Sequence, residues 1–203
     1  EDRKVIKARI DATKKREAAK QAARHARAGR RAAAMWKTLP ERGRSAYLER
    51  KQVTALGVRF GRKPGTALVP MLNVRDQVVG LQILFDQPDE DGLSKRYWPP
   101  GLQKEGAFCL IGPHPEPGEA VLLCEGYATG ASLHLATGMC VAIAFDAGNL
   151  MPVAEAMACG LPVVVTQGGA TDDFCTPETS YGVRAKRCPI AFQEETAGQA
   201  WLL

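Results

Sequence analysis

The chain has 203 residues, enough for one good core or two small lobes, and its 45% hydrophobic content is normal for a soluble globular protein. No run approaches the roughly 18 apolar residues of a membrane span and no signal peptide is visible, so the expected compartment is the cytoplasm. The net charge of +5 hides an asymmetry: Glu1–Lys37 holds 13 Lys or Arg against 4 acids, whereas Thr38–Leu203 holds 14 against 18.

Glu1–Lys37 is rich in Ala, Lys and Arg and free of Pro, which predicts a long helix. Its apolar residues are sparse: Val5, Ile6 and Ile10, then mostly alanine until Met35-Trp36. Such a helix is expected to project, or to dock only through its ends. A run of this kind is either a solvated helix or a contact for a phosphate backbone. His25 within it is expected to be exposed and idle. A start at Glu1 rather than Met suits a piece of a larger protein.

A small lobe follows. Lys37–Gly43 reads as a linker marked by Pro40, and Ser45–Lys51 as a short helix. Thr66–Val74 and Gln77–Phe85 predict a β-hairpin around Asn73–Asp76. After a polar turn, Lys95 and Arg96 precede Tyr97-Trp98. Basic residues beside aromatics suit a nucleic-acid backbone with base stacking, and a solvated hairpin with Trp98 in the core fits the local sequence equally. Pro99-Pro100-Gly101 and Pro113–Gly118 then break the chain, with His114 expected to be structural.

Val121–Cys124 is a short continuous apolar segment, the pattern of a strand covered on both faces. Glu125 follows, Gly126 is expected to turn the backbone, and Ala128–Ala136 reads as a helix with Leu133 and Ala136 inward. Cys140–Phe145 is a second buried strand ending in Asp146-Ala147-Gly148-Asn149, and Pro152 opens a second helix. Leu161–Thr166 is a third strand, followed by the Gly-rich loop Gln167–Thr171 and then Asp172-Asp173. Connections this short imply a parallel sheet with right-handed crossovers. Glu125 then projects beyond the carboxyl edge, where it holds a metal or pairs with a base. Asp146 is a ligand or a turn former and cap. Acids gathered at one edge repel unless cations neutralise them, and oxygen ligands suit Mg²⁺ or Mn²⁺. The six cysteines (Cys109, Cys124, Cys140, Cys159, Cys175, Cys188) form no C-x-x-C pair, so a reduced compartment is expected and a zinc ribbon is not. His134, on the first helix, is expected to be packed or capped.

Leu123–Gly130, with CEGYATG at its core, resembles the first motif of the Toprim fold of bacterial primases, topoisomerases and some nucleases. The longer run LCEGYATGASLHLATG, followed by VAIAFDAGNLMPVAEAM, resembles the Toprim domain of primases from plasmids and phages. Upstream, ALVPMLNVRDQVVG (Ala67–Gly80), Lys95-Arg96-Tyr97 and KEGAFCLIG (Lys104–Gly112) resemble the amino-terminal half of a bacterial primase catalytic core. The resemblance spans roughly Tyr47–Gly160.

The resemblance implies a fold and a site. The fold is α/β: a Toprim-like parallel sheet flanked by helices over 119–203, a small mixed α+β primase-like lobe over 38–118, and a basic helix over 1–37. Glu125, with Asp146 and a later Asp-x-Asp cluster, would bind the catalytic metals. That cluster departs from the family pattern. Counted from the third strand it falls on Gln167, Gly168 or Gly169, which offer no carboxylate. Counted back from Thr176–Gly182 and an expected helix at Arg184–Lys186, it falls on Asp172, Asp173 and Phe174, of which the two aspartates can ligate. Those two are the expected ligands, the alternative being a solvated acidic turn. Lys95, Arg96, Trp98 and Lys104, with the basic helix, would hold a single-stranded DNA template.

The function this implies is primase: metal-dependent ribonucleotide transfer from NTPs, with Mg²⁺ or Mn²⁺ as cofactor, no membrane partner, and room for a replicative helicase as a further partner. Two rivals share the residues. One is a Toprim nuclease, which needs no hairpin lobe. The other is a degenerate Toprim module that binds nucleic acid without catalysis, a reading that Gln167–Gly169 keeps open.

Overall fold

The computed structural model describes residues 2–62, 65–88, 90–116 and 119–158, with the strand segments 163–167, 180–184, 186–187 and 201–202. The chain forms two compact units, Glu1–Cys109 and Leu110–Leu203.

In the first unit, helix α1 runs Asp2–Thr38. Everything from Arg3 to Arg24 is exposed, so strong helix formers rather than packing sustain that stretch. Packing starts at His25, which is half-buried rather than exposed, and is carried by the small residues Ala28 and Ala32. At Gly29 a Cβ would lie 3.6 Å from the Val79 Cα, so the helix rides close to the sheet. Ala32, Met35 and Trp36 join Leu39, Leu68, Leu81, Ile83 and Trp98 in one core cluster. The helix therefore docks through its carboxyl end alone.

Helix α2 (Ala46–Lys51) follows. Strands β1 (Arg59–Phe60), β2 (Ala67–Leu72), β3 (Val78–Leu84) and β4 (Lys95–Trp98) form an antiparallel sheet in chain order, which leaves β4 at an edge. The β2–β3 turn is closed by Asn73, whose Oδ1 accepts from the backbone N–H groups of Arg75 and Gln77 at 2.9 and 3.1 Å. Cross-strand register places Leu68, Ile83 and Arg96 on one face, with Leu81 and Trp98 beside them. That face meets α1. Ala67, Val69, Met71 and Leu84 turn to the other face and are fully buried there, so the sheet is covered on both sides.

The second sheet has the order β5-β7-β6-β8-β9. Its members are β5 (Cys109–Ile111), β6 (Val121–Cys124), β7 (Val141–Ile143), β8 (Val163–Gln167) and β9 (Ser180–Arg184). β6–β7, β6–β8 and β8–β9 are parallel pairs. Helix α3 (Tyr127–Thr137) links β6 to β7, and α4 (Leu150–Ala158) follows β7 after a 3-10 turn over Ala147–Asn149. β10 (Lys186–Arg187) and β11 (Trp201–Leu202) form a separate antiparallel pair. Together the two units make a mixed α/β architecture. Among the described residues no helix is long and apolar enough to cross a membrane.

Four local expectations are corrected. The buried face of α3 is Tyr127, Gly130 and Ala131, while Leu133 is half-buried and Ala136 exposed. Gly126 has φ −114°, an extended conformation open to any residue, so it makes no special turn. Arg184 ends a strand and Lys186 begins another, where a helix was expected, because pairing with β8 and β11 overrides the helical preference of Arg, Ala and Lys. β5, lying before the Pro113–Gly118 break, belongs to the second sheet.

Candidate functional site

The second sheet builds a site from its topology. From β6 the chain crosses to β7 on one side, and from β7 it returns past β6 to β8 on the other. Right-handed crossovers in opposite directions put α3 and α4 on opposite faces, so the strand order reverses at β6 and the switch point lies between β6 and β8. The crevice at such a switch point, outside the carboxyl ends of the strands, is where open α/β sheets hold ligands. Glu125 is the first residue after β6, and Asp146 stands three residues beyond Ile143, the last residue of β7. Cys124 pairs with Ile143 in register, and the Ala144 N–H donates to the Cys124 carbonyl at 2.8 Å. Adjacent parallel strands thus bring Glu125 and Asp146 to the same, carboxyl edge of the sheet, with Glu125 at the end of the switch-point strand.

Their surroundings differ. Glu125 is exposed, and among the described residues no ion pair involves it, so the alternative of an acid neutralised by Lys or Arg finds no support there. Asp146 is half-buried and caps the 3-10 turn: its Oδ1 accepts from the Asn149 N–H at 3.1 Å. Asn149, 2% exposed, donates from Nδ2 to the Ala144 carbonyl at 2.8 Å. Phe145, just before Asp146, is buried with φ +74°, a conformation that bulky side chains avoid and that persists only when packing enforces it. The Phe145–Asn149 corner therefore fixes the Asp146 carboxyl group, whose Oδ1 caps the turn and whose Oδ2 is buried. Sequence reasoning missed both Phe145 and Asn149; only the Gly-Asn pair hinted at a turn.

Gly130 sets the spacing of α3 against β6 and β7. A Cβ there would fall 2.8 Å from Ile143 Cγ1 and 3.1 Å from Cys124 Sγ. Cys124 donates to the Gly126 carbonyl at 3.5 Å, and burial pushes its thiol up to about 12, which removes it as a nucleophile. His134 is structural: its Nδ1 lies 2.7 Å from the Met139 carbonyl and donates to it.

Asp172 and Asp173 lie outside the described residues. Gln167 is the last residue of β8. Among the described residues no three His, Cys, Asp or Glu side chains are grouped to hold a metal.

The expected nucleic-acid residues lie in the first unit and are split between two faces of its edge strand. Lys95 is exposed and shares a face with Tyr97, over whose ring Lys104 Nζ sits at 5.5 Å. Arg96, ion-paired with Asp91, shares the other face with Trp98. Trp98 packs into the core cluster and carries the Arg31 guanidinium over its ring at 5.3 Å. Trp98 is thus packed in the core of the first unit, with the basic helix α1 beside it.

The proteins this chain is similar to are DNA primases. No protein-family model matches it. Two curated relatives, both described as DNA primase TraC of Escherichia coli, are 33% identical over 119 residues and 35% identical over 113. These alignments cover 57% and 53% of this chain but 8% and 10% of the relatives, so the chain spans no more than about a tenth of their length. A solved structure, the RNA polymerase domain of Mycobacterium tuberculosis primase DnaG in complex with double-stranded DNA, aligns with a TM-score of 0.34 and 17% identity. That alignment covers 61% of this chain and 44% of the other, a likeness too loose to fix a fold.

Proposed function

We infer that this chain supplies the catalytic core of a DNA primase, making short RNA primers on single-stranded DNA by metal-dependent nucleotidyl transfer from NTPs. The observation that carries the reading is the placement of Glu125 and Asp146 at the carboxyl ends of the adjacent parallel strands β6 and β7, in a chain similar to two DNA primases. In this reading 119–203 is a Toprim domain and 38–118 a primase-like lobe. The reaction joins a primer 3′-oxygen to the α-phosphorus of an NTP and releases pyrophosphate.

Two carboxylates suit Mg²⁺ or Mn²⁺, which bind through one or two carboxylates and complete their shells with water and substrate phosphate oxygens. Such a cation would neutralise charge on the reacting phosphate and on the attacking and leaving oxygens. Glu125, solvent-facing at the strand end, is the principal anchor. Asp146, whose Oδ1 caps the turn and whose Oδ2 is buried beside it, would supply a second carboxylate at the same sheet edge. Asp172 and Asp173 are proposed to complete the set. Lys95 and Lys104 would hold the template strand by its phosphates, with Tyr97 as a stacking platform. A replicative helicase remains a proposed further partner.

The test is direct. The protein is incubated with Mg²⁺ or Mn²⁺, single-stranded DNA and labelled NTPs, and short RNA is sought on a gel. Glu125→Gln removes a charge and almost no volume, so synthesis should vanish while the circular dichroism spectrum stays unchanged. Near-wild-type synthesis by that variant at saturating metal would show that Glu125 is not a ligand. Binding of DNA with no synthesis by the wild-type chain would sink the catalytic reading.

A further inference from the structure

The exposed arm of α1 has an order that its composition does not reveal. Arg9, Arg16, Lys20, Arg24, Arg27 and Arg31 recur at intervals of seven, four, four, three and four. At about 100° per residue these six positions fall within roughly 80° of one another on the helix surface. They form one stripe about 33 Å long, taking 1.5 Å per residue. Ala18–Thr38 holds six Lys or Arg and no acid. The stripe also avoids the packed side of the helix, defined by Ala28, Ala32 and Trp36.

A helix that only needs to be soluble interleaves acids with its bases three or four residues apart. Among the described residues of the arm, Glu17–Lys20 is the one such ion pair, at 2.7 Å. Arg16–Lys20, Lys20–Arg24, Arg24–Arg27 and Arg27–Arg31 instead set like charges at that spacing. The arrangement is unfavourable in isolation and is relieved by a polyanion lying along it. The carboxyl end of the stripe has a definite destination. Arg24 packs against Gly101, leaving no room for a Cβ there, and Arg31 lies over the Trp98 ring on edge strand β4. The row of cations therefore runs onto the strand that carries Lys95 and Arg96.

We propose that the α1 stripe is a track for the phosphate backbone of a nucleic-acid strand, leading it toward the β4 edge. The choice of nucleic acid as the polyanion rests on the primase reading; the stripe itself rests on spacing and contacts. The track reads no bases, since six point charges on one helix face meet only phosphates.

Fluorescence anisotropy of the 203-residue chain with a labelled single-stranded DNA 30-mer, over a salt series, tests the proposal. Two variants remove equal charge. One changes Arg9, Arg16, Arg24 and Arg27 to Gln; the other changes the equally exposed Lys4, Lys7, Lys14 and Lys15 to Gln, on the other side of the helix. Each single-strand phosphate contact contributes about 0.7 to the log–log salt slope, so the stripe variant should lose about 2.8 from it. That corresponds to roughly a 50-fold smaller fall in affinity between about 50 and 200 mM salt. The control should keep most of the wild-type slope. Equal losses in the two variants would overturn the track and leave diffuse charge attraction. An unchanged slope in the stripe variant would overturn it and mark α1 as a spacer or a protein-docking arm. No DNA binding by the wild-type chain would overturn the track and the primase reading together, whereas loss of synthesis in Glu125→Gln with binding intact bears on the active site alone.

Discussion

Gly130→Ala probes the spacing on which the crevice depends. The added methyl would enter a space bounded by Ile143 Cγ1 at 2.8 Å, Ile143 Cδ1 at 3.1 Å and Cys124 Sγ at 3.1 Å. Ile143 is fully buried and Cys124 nearly so, and neither presents a loose chain end, so relief requires α3 to move. Overpacking of this kind costs about 1–3 kcal/mol. Against it stands the helix preference for Ala over Gly, about 1 kcal/mol in a helix interior. The net expectation is a destabilisation of about 1 kcal/mol, within a range of roughly 0–2. Ala136→Gly, on the exposed side of the same helix, calibrates the helix contribution separately, because nothing packs there. Urea unfolding of wild type and both variants gives the three free energies. If Gly130→Ala gained stability by as much as Ala136→Gly lost, α3 could not lie as close to β6 and β7 as described. The positioning of Glu125 by that packing would then be refuted.

Two further outcomes follow from local chemistry. Gly126 occupies the N-cap position of α3 with φ −114° and ψ 147°, and only Thr129 Oγ1, at 4.0 Å, approaches a Cβ placed there. Gly126→Ser should therefore supply the missing side-chain acceptor and stabilise the protein by a few tenths of a kcal/mol, read as a higher melting temperature. Cys124 gives a pH dependence: burial raises its thiol from the usual 9.0 to about 12 in the folded protein. The folded state thus holds the proton more tightly, and the stability so gained is complete below pH 9 and lost as pH rises toward 12. Between those limits the loss is at most about 1.4 kcal/mol per pH unit. Wild type should weaken more steeply than Cys124→Ala between about pH 8 and 10 in urea titrations, and parallel curves would show that the thiol titrates normally.

The parts of the fold legible in the sequence are those where burial dictates composition. Val121–Cys124 and the strand around Val141–Ile143 are apolar without alternation because both faces are covered, and at four or three residues each is too short to be a buried helix. The β2–β3 hairpin was marked by Asn73, whose side chain closes the turn. β5 was illegible because three residues carry no period. The inner face of α3 was misread because Leu133 and Ala136 look more like core than Gly130 does. A glycine inside a helix carries its information by what it allows to come near, and that neighbour, Ile143, is 13 residues away.

The candidate site divides along the same line. That Glu125 and Asp146 both end strands followed by helices could be read from the chain, and parallel pairing then brings them to one edge. What the sequence did not carry is the corner that aims Asp146. Phe145 at φ +74° gives no signal, since a large aromatic is among the residues least suited to that conformation. Its occurrence there means the surrounding packing outweighs a strain of about 1–3 kcal/mol. Asn149 looked like an ordinary turn residue, yet its buried amide donates to Ala144 and its N–H to Asp146. Asp146 therefore has a structural duty that would be met whether or not a cation ever binds. Capping uses Oδ1 and leaves Oδ2, which is buried, as the oxygen a cation would have to reach, so a ligand role would act alongside the turn-forming one in the same side chain. Glu125 has no such duty among the described residues, and for that reason its substitution, rather than that of Asp146, separates chemistry from folding.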